Sequence, residues 1–202
     1  SERAWVFEGD VNYQRFRAFS PTGRVPCLHD GGTVVWDSLA IAEYLAERHA
    51  GVWSADAAAR TWSRCAAAEM HSGFANLRNV CGMNCGTRVR LRQWPEALKA
   101  EVARLDELWS EGLARFGGPF LAGGRFTAVD AFYAPVAFRV QTYDLPLGHS
   151  AGDYVRNLLA LPAMREWYDA ALAEPWRDES HEAELRQYGD ITADLRRAPG
   201  AP

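Results

Sequence analysis

Arg24, Val25 and Pro26, followed a hairpin's length later by Asp37 and Ser38, are the residues of this 202-residue chain whose types and spacing could do chemistry. Ser38 opens a stretch of helical period, LAIAEYLAE. A helix N-terminus presents unpaired N–H groups and the positive end of its dipole, so the Ser38 hydroxyl and backbone N–H form a carboxylate receptor. Asp37 beside it can hold an ammonium. The pair therefore suits the α-carboxylate and α-amine of one amino acid, gripped together. At Val25-Pro26 a proline starts a strand, where a cis bond is accessible, and the Val25 backbone is left to pair with an extended peptide. Arg24 is a second partner for an anion.

The elements that must position these residues run from Phe19 to His49. Pro21-Thr22-Gly23 combines a fixed φ with a residue free to take positive φ, which makes a turn. Asp30-Gly31-Gly32, between Cys27-Leu28 and Thr33 to Trp36, is a hairpin signal. The apolar period then changes from two to 3.6, with Ile41, Tyr44 and Leu45 on one helical face and Glu43, Glu47 and Arg48 on the other. Upstream, Arg3 to Glu8 reads as a strand. Asn12 to Phe19 reads as a helix with Tyr13, Phe16 and Phe19 on one side. The order as far as His49 is β-α-β-β-α.

A basic residue, a β-branched residue and Pro, then an acidic residue and Ser opening such a helix, resemble the glutathione-binding half of the glutathione S-transferases. The resemblance implies that Val25 and Pro26, joined by a cis bond, pair with the cysteinyl backbone of glutathione. It implies further that Asp37 and Ser38 hold the γ-glutamyl end and that Arg24 makes an anion contact. The fold class it implies is α/β plus all-α. Residues 1–50 would form a thioredoxin-like domain lacking its first strand and helix, and residues 51–202 an all-helical bundle with a charged tail from about residue 176. In that family the catalytic hydroxyl or thiol opens the first helix, and no residue here aligns with it, so the catalytic residue is unassigned. Either a strand-helix segment precedes Ser1 in the natural protein, or Ala4 to Phe7 occupies the central slot of the sheet beside Val25 to Leu28. If the chain as given is active, Cys27 and Tyr13 are the places to look.

Past Gly51 the pattern is helical. A long helix is expected from about Ala57 to Asn79, capped by Asp56 or Ser54. Its segment Glu69 to Phe74, with Met83-Asn84, resembles a bacterial subset of the same family whose catalytic residue is usually serine. The resemblance makes Met70, His71 and Phe74 candidates for the electrophile pocket. Arg88 to Arg92 reads as a solvated loop. Trp94-Pro95 opens a further helix, and Thr127 to Asp130 is a capping box in which each residue's side chain serves the other's backbone N–H. Pro135 lies inside the helix that follows, and Leu161-Pro162 begins another.

The composition narrows the function classes. A formal charge of −4 gives no footprint for nucleic acid or an anionic membrane, no apolar run approaches the roughly 20 residues of a membrane helix, and the first residues lack a signal-peptide pattern. A cytoplasmic protein is expected. Four cysteines without zinc-site spacing read as reduced thiols with no metal. The function implied is conjugation of glutathione, as co-substrate, to small hydrophobic electrophiles by a homodimer. A non-catalytic glutathione-binding or scaffolding protein, or a glutathione-dependent lyase, reductase or isomerase, fits the same residues.

Overall fold

Helix α1 (Gly9–Arg17) opens the computed structural model, which describes residues 9–175 and 177–197. The strand expected at Arg3 to Glu8, and with it the alternative pairing of Ala4 to Phe7, lies outside the described residues. Phe16 of α1 is buried against Phe19, with ring centroids 5.5 Å apart. The expected hairpin follows as β1 (Leu28–Asp30) and β2 (Thr33–Val35), antiparallel with Leu28 opposite Val35. Gly31 supplies the positive φ that the turn requires.

Helix α2 (Ser38–Ala46) starts where the apolar period changes, with Asp37 as its N-cap. Asp37 Oδ1 accepts from Leu39 N at 3.2 Å, satisfying one of the orphan donors of the first turn. Tyr44 donates its hydroxyl to Asp30 at 2.8 Å, which ties the helix to the hairpin turn. Leu39, Ala42 and Ala46 pack on the helical core beyond, and Arg64 reaches back to Glu43 through two bonds of 2.9 and 2.7 Å.

Asp56 caps α3 (Ala57–Ser72), accepting from Ala59 N at 2.7 Å. The single helix expected from Ala57 to Asn79 is two, because Gly73 leaves the helical region and Phe74 takes a left-handed conformation ahead of α4 (Ala75–Val80). A Cβ on Gly73 would stand 2.7 Å from the Glu69 carbonyl oxygen, so the bend depends on glycine. Glu101 supplies what the break leaves unpaired, accepting from Asn76 N at 3.1 Å and Leu77 N at 2.7 Å. That cap comes from a distant helix, α5 (Glu96–Phe116), which ends at Gly117 in the left-handed region.

The centre of the helical half is α6 (Ala128–Tyr143), packed on α3 and on α7 (His149–Ala160). Trp109 of α5 is fully buried between Tyr133 and Tyr154, with edge contacts at 5.6 and 5.0 Å. Asp130 is buried too. Its carboxylate returns to Thr127 N at 2.9 Å, as the capping box requires, and the Thr127 hydroxyl donates to the same oxygen at 3.3 Å. It also accepts from Leu121 N and from the Tyr154 hydroxyl, both at 3.0 Å. Helix α8 (Pro162–Ala173) carries Pro at its permitted first turn.

The all-helical reading of the second half needs correction. Arg88 to Arg92, expected as a loop, belongs mostly to β3 (Thr87–Leu91), which pairs antiparallel with β4 (Gly189–Asp194) at the end of α9 (Glu179–Tyr188). Val89 and Leu91 are buried while Arg90 faces solvent, so the strict alternation of basic and apolar residues carried a period of two. The charged stretch from about residue 176 is thus a docked strap as far as it is described.

Candidate functional site

A cleft of about 1220 Å³ opens between the segment running from Thr22 to Leu45 and the helices α3, α4, α6 and α8. Single ligand pockets commonly hold roughly 300–1,000 Å³, so the cleft has room for a short peptide and a second small molecule. Arg24, Val25, Pro26, Asp37 and Ser38 all line it, together with Met70 and His71.

The loop that carries Arg24 is held from within. Ser20 is buried and donates its hydroxyl to the Arg24 carbonyl at 2.6 Å, while Arg24 N donates to Thr22 Oγ1 at 3.3 Å. Gly23, at φ +65°, lies under the Tyr13 ring, where a Cβ would come within 2.5 Å of a ring carbon. The Val25–Pro26 bond is cis. Val25 is exposed and makes no hydrogen bond to the described residues, so its N–H and C=O remain open to an extended peptide.

Asp37 and Ser38 stand at the mouth of α2. The Ser38 hydroxyl has no partner among the described residues, and its N–H is one of the orphan donors of a helix start. Asp37 gives one oxygen to Leu39 N and the other to His71 Nε2, at 3.2 Å each. An ammonium arriving at Asp37 therefore meets a carboxylate already oriented by two donors.

Phe74 does not line this cleft. It is buried in the helical core, because the left-handed turn at its own backbone swings it away from the face that carries Met70. Cys27 also stands apart, its sulfur 3.5 Å from the Phe19 carbonyl and 3.8 Å from His29 Nε2, whereas Tyr13 lines the cleft. Burial pushes the Cys81 thiol up to about 12 and the Cys85 thiol up to about 11, so neither supplies a thiolate near neutral pH.

Several cleft residues escaped the sequence reading. Trp36 and Trp167 bring aromatic faces, Phe132 and Pro135 an apolar wall, and Arg78 and Arg139 two cations. Arg139 carried a signal, being the lone charge in the apolar run that follows Pro135. Arg78 carried none, since an arginine in a short polar helix is ordinary.

Residues 89–170 match the family model described as the glutathione S-transferase C-terminal domain, and residues 2–48 match the corresponding N-terminal domain. No curated protein matches the chain. Among solved structures, a glutathione S-transferase from Rhodospirillum rubrum is 24% identical, with a TM-score of 0.58 over 85% of this chain and 82% of its own. A glutathione transferase homologue from Burkholderia, solved with bound glutathione, is 24% identical, with a TM-score of 0.54 over 75% of this chain and 74% of its own. The theta-class enzyme from Xanthomonas axonopodis pv. citri, also with glutathione bound, is 25% identical, with a TM-score of 0.50 and 75% coverage of each chain.

Proposed function

The chain belongs to the glutathione S-transferase family, with a thioredoxin-like domain followed by a helical one, and from that membership we propose that it binds glutathione and presents its thiol to a small electrophile. The observation that carries the reading is the convergence on one cleft of Arg24, Val25, Pro26, Asp37 and Ser38 with an apolar wall from the helical half. In this reading the γ-glutamyl carboxylate sits on the Ser38 hydroxyl and the α2 N-terminus, its ammonium on Asp37, the cysteinyl backbone along Val25, and Arg24 beside a glutathione carboxylate. The cysteinyl sulfur then faces the space bounded by Met70, Phe132 and Trp167.

The chemistry follows from the thiol. Ionisation releases its proton, the thiolate attacks the electrophilic carbon, and the displaced group leaves with the bond's electron pair. Assembly as a twofold dimer in the cytoplasm belongs to the same reading.

Calorimetric titration with glutathione, followed by turnover assays against a panel of electrophiles, tests it. Binding that weakens at least tenfold in Ser38→Ala, as loss of a charge-assisted bond worth about 1.5–3 kcal/mol requires, supports the site. Unchanged affinity in both Ser38→Ala and Asp37→Ala refutes it. Binding without turnover across the panel favours the non-catalytic reading.

A further inference from the structure

Arg78 of α4 and Arg139 of α6 line the cleft together with the apolar residues Met70, Phe132 and Trp167. They also line the neighbouring cleft on the α9 side, so they stand where the two meet. Their anchoring is to backbone and sulfur. Arg78 Nη2 donates to the Met70 carbonyl, Arg139 Nε donates to the Cys81 carbonyl at 2.8 Å, and Arg139 Nη1 lies 3.8 Å from Met83 Sδ and 3.5 Å from the Pro135 carbonyl. Neither forms an ion pair among the described residues. Four carboxylates line the adjoining cleft, Glu174, Asp178, Glu182 and Glu184; Glu182 pairs with Arg196 and Asp178 accepts from the start of α9, and none of the four pairs with Arg78 or Arg139.

A guanidinium carries five N–H donors in a fork that matches a carboxylate. Arg78 Nε and Nη1, and Arg139 Nη2, have no acceptor among the described residues. Two cations therefore stand close together, Arg78 exposed and Arg139 half-buried, and Arg139 is lowered from its ordinary arginine range by burial and by the charge of Arg78. Desolvated charge is costly unless an opposite charge arrives. Placed beside an apolar wall, such a pair selects a ligand that is apolar in body and anionic at one end.

We propose that Arg78 and Arg139 form an anion subsite for the second substrate, which is a small electrophile of apolar body bearing a carboxylate. This rests on the transferase reading for the word substrate, while the anion subsite itself can be measured without glutathione. It replaces the expectation of a purely hydrophobic electrophile with a more specific one.

Calorimetry with 3,5-dinitrobenzoate and its neutral analogue 3,5-dinitrobenzamide, on the full chain without glutathione, tests the subsite. The carboxylate should bind at least tenfold tighter, and the difference should shrink as salt is raised. Arg78→Met, a change at an exposed position, should remove most of that preference, and Arg78→Lys should restore part of it by returning the charge without the fork. Near-uniform affinity of the two compounds, no binding of the carboxylate, or an unaltered preference in a folded Arg78→Met protein would overturn the proposal. So would a loss of glutathione affinity in Arg78→Met, because the arginines would then serve glutathione's own carboxylate. A wild-type protein that binds dinitrobenzoate with this preference but does not bind glutathione defeats the transferase reading and leaves the anion subsite standing.

Discussion

His71 Nε2 lies 3.2 Å from Asp37 Oδ2, joining the long helix of the C-terminal half to the cap of the helix in the N-terminal half. The family resemblance gives the two residues different roles, Asp37 with glutathione and His71 with the electrophile. Their contact makes them one polar unit lining a shared cleft.

The contact leads to the first prediction. Both side chains are substantially exposed, at 34% and 54%, and exposed pairs contribute about 0–1 kcal/mol. His71→Ala should leave the melting temperature near that of the parent. Glutathione affinity should fall about two- to fivefold, ~0.5–1 kcal/mol, as Asp37 loses one of its two orienting donors. Parallel calorimetry and thermal denaturation would decide this, and a large loss of stability with unchanged affinity would make the contact purely structural.

Asp130 predicts the opposite pattern. Capping alone would be worth about 1 kcal/mol, but this carboxylate is fully buried and also holds Leu121 N and the Tyr154 hydroxyl. Asp130→Ala leaves several buried donors unsatisfied, each costing about 1–3 kcal/mol. Stability should fall by about 3 kcal/mol or more, a drop in Tm on the order of 10 °C. Denaturant melts measure it, and a loss near 1 kcal/mol would reduce Asp130 to an ordinary cap.

Arg92 should hold the strap of α9 and β4. Its guanidinium donates to the carbonyls of Arg186, Gln187 and Gly189 at 2.6, 2.8 and 3.1 Å and to the Asp190 carboxylate at 2.8 Å. A lysine cannot reproduce that fork. Arg92→Lys should speed amide exchange in Gly189–Asp194 at least tenfold while α5 and α6 stay protected, as mass spectrometry of exchange would reveal.

Asp178 gives a pH-dependent outcome. The hydroxyl of Ser180, and then the N–H of His181, stabilise its charged form and hold its pKa down to about 2 from the ordinary 3.8. A carboxylate lowered on folding adds stability that is present above its unfolded value and lost as pH falls through its folded one. The start of α9 should therefore loosen as pH drops from about 4 to about 2. The Ser180 and His181 amide signals should titrate near 2 by NMR, and Asp178→Asn should abolish that titration.

The hairpin, the N-cap at Asp37, the turn at Gly23 and the helix starts at Asp56, Thr127 and Pro162 were legible in the sequence because each is set by a few adjacent residues. Turn φ angles, caps and apolar period act over one or two turns of chain. The residues of the N-terminal side of the cleft fall within such a segment, and so they could be named in advance. The break between α3 and α4 was not legible, since its orphan amides are capped by Glu101 from another helix. The pairing of β3 with β4 was missed: Arg88 to Arg92 was expected as a solvated loop although its basic and apolar residues alternate, and the strand it pairs with lies near the far end of the chain. Phe74 and Arg139 mark the same limit. Helical period placed Phe74 on the face of Met70 until one left-handed residue removed it. Arg139 became part of a cationic pair only when the fold brought it and Arg78 to one cleft, because charge proximity between distant segments is a property of tertiary structure alone.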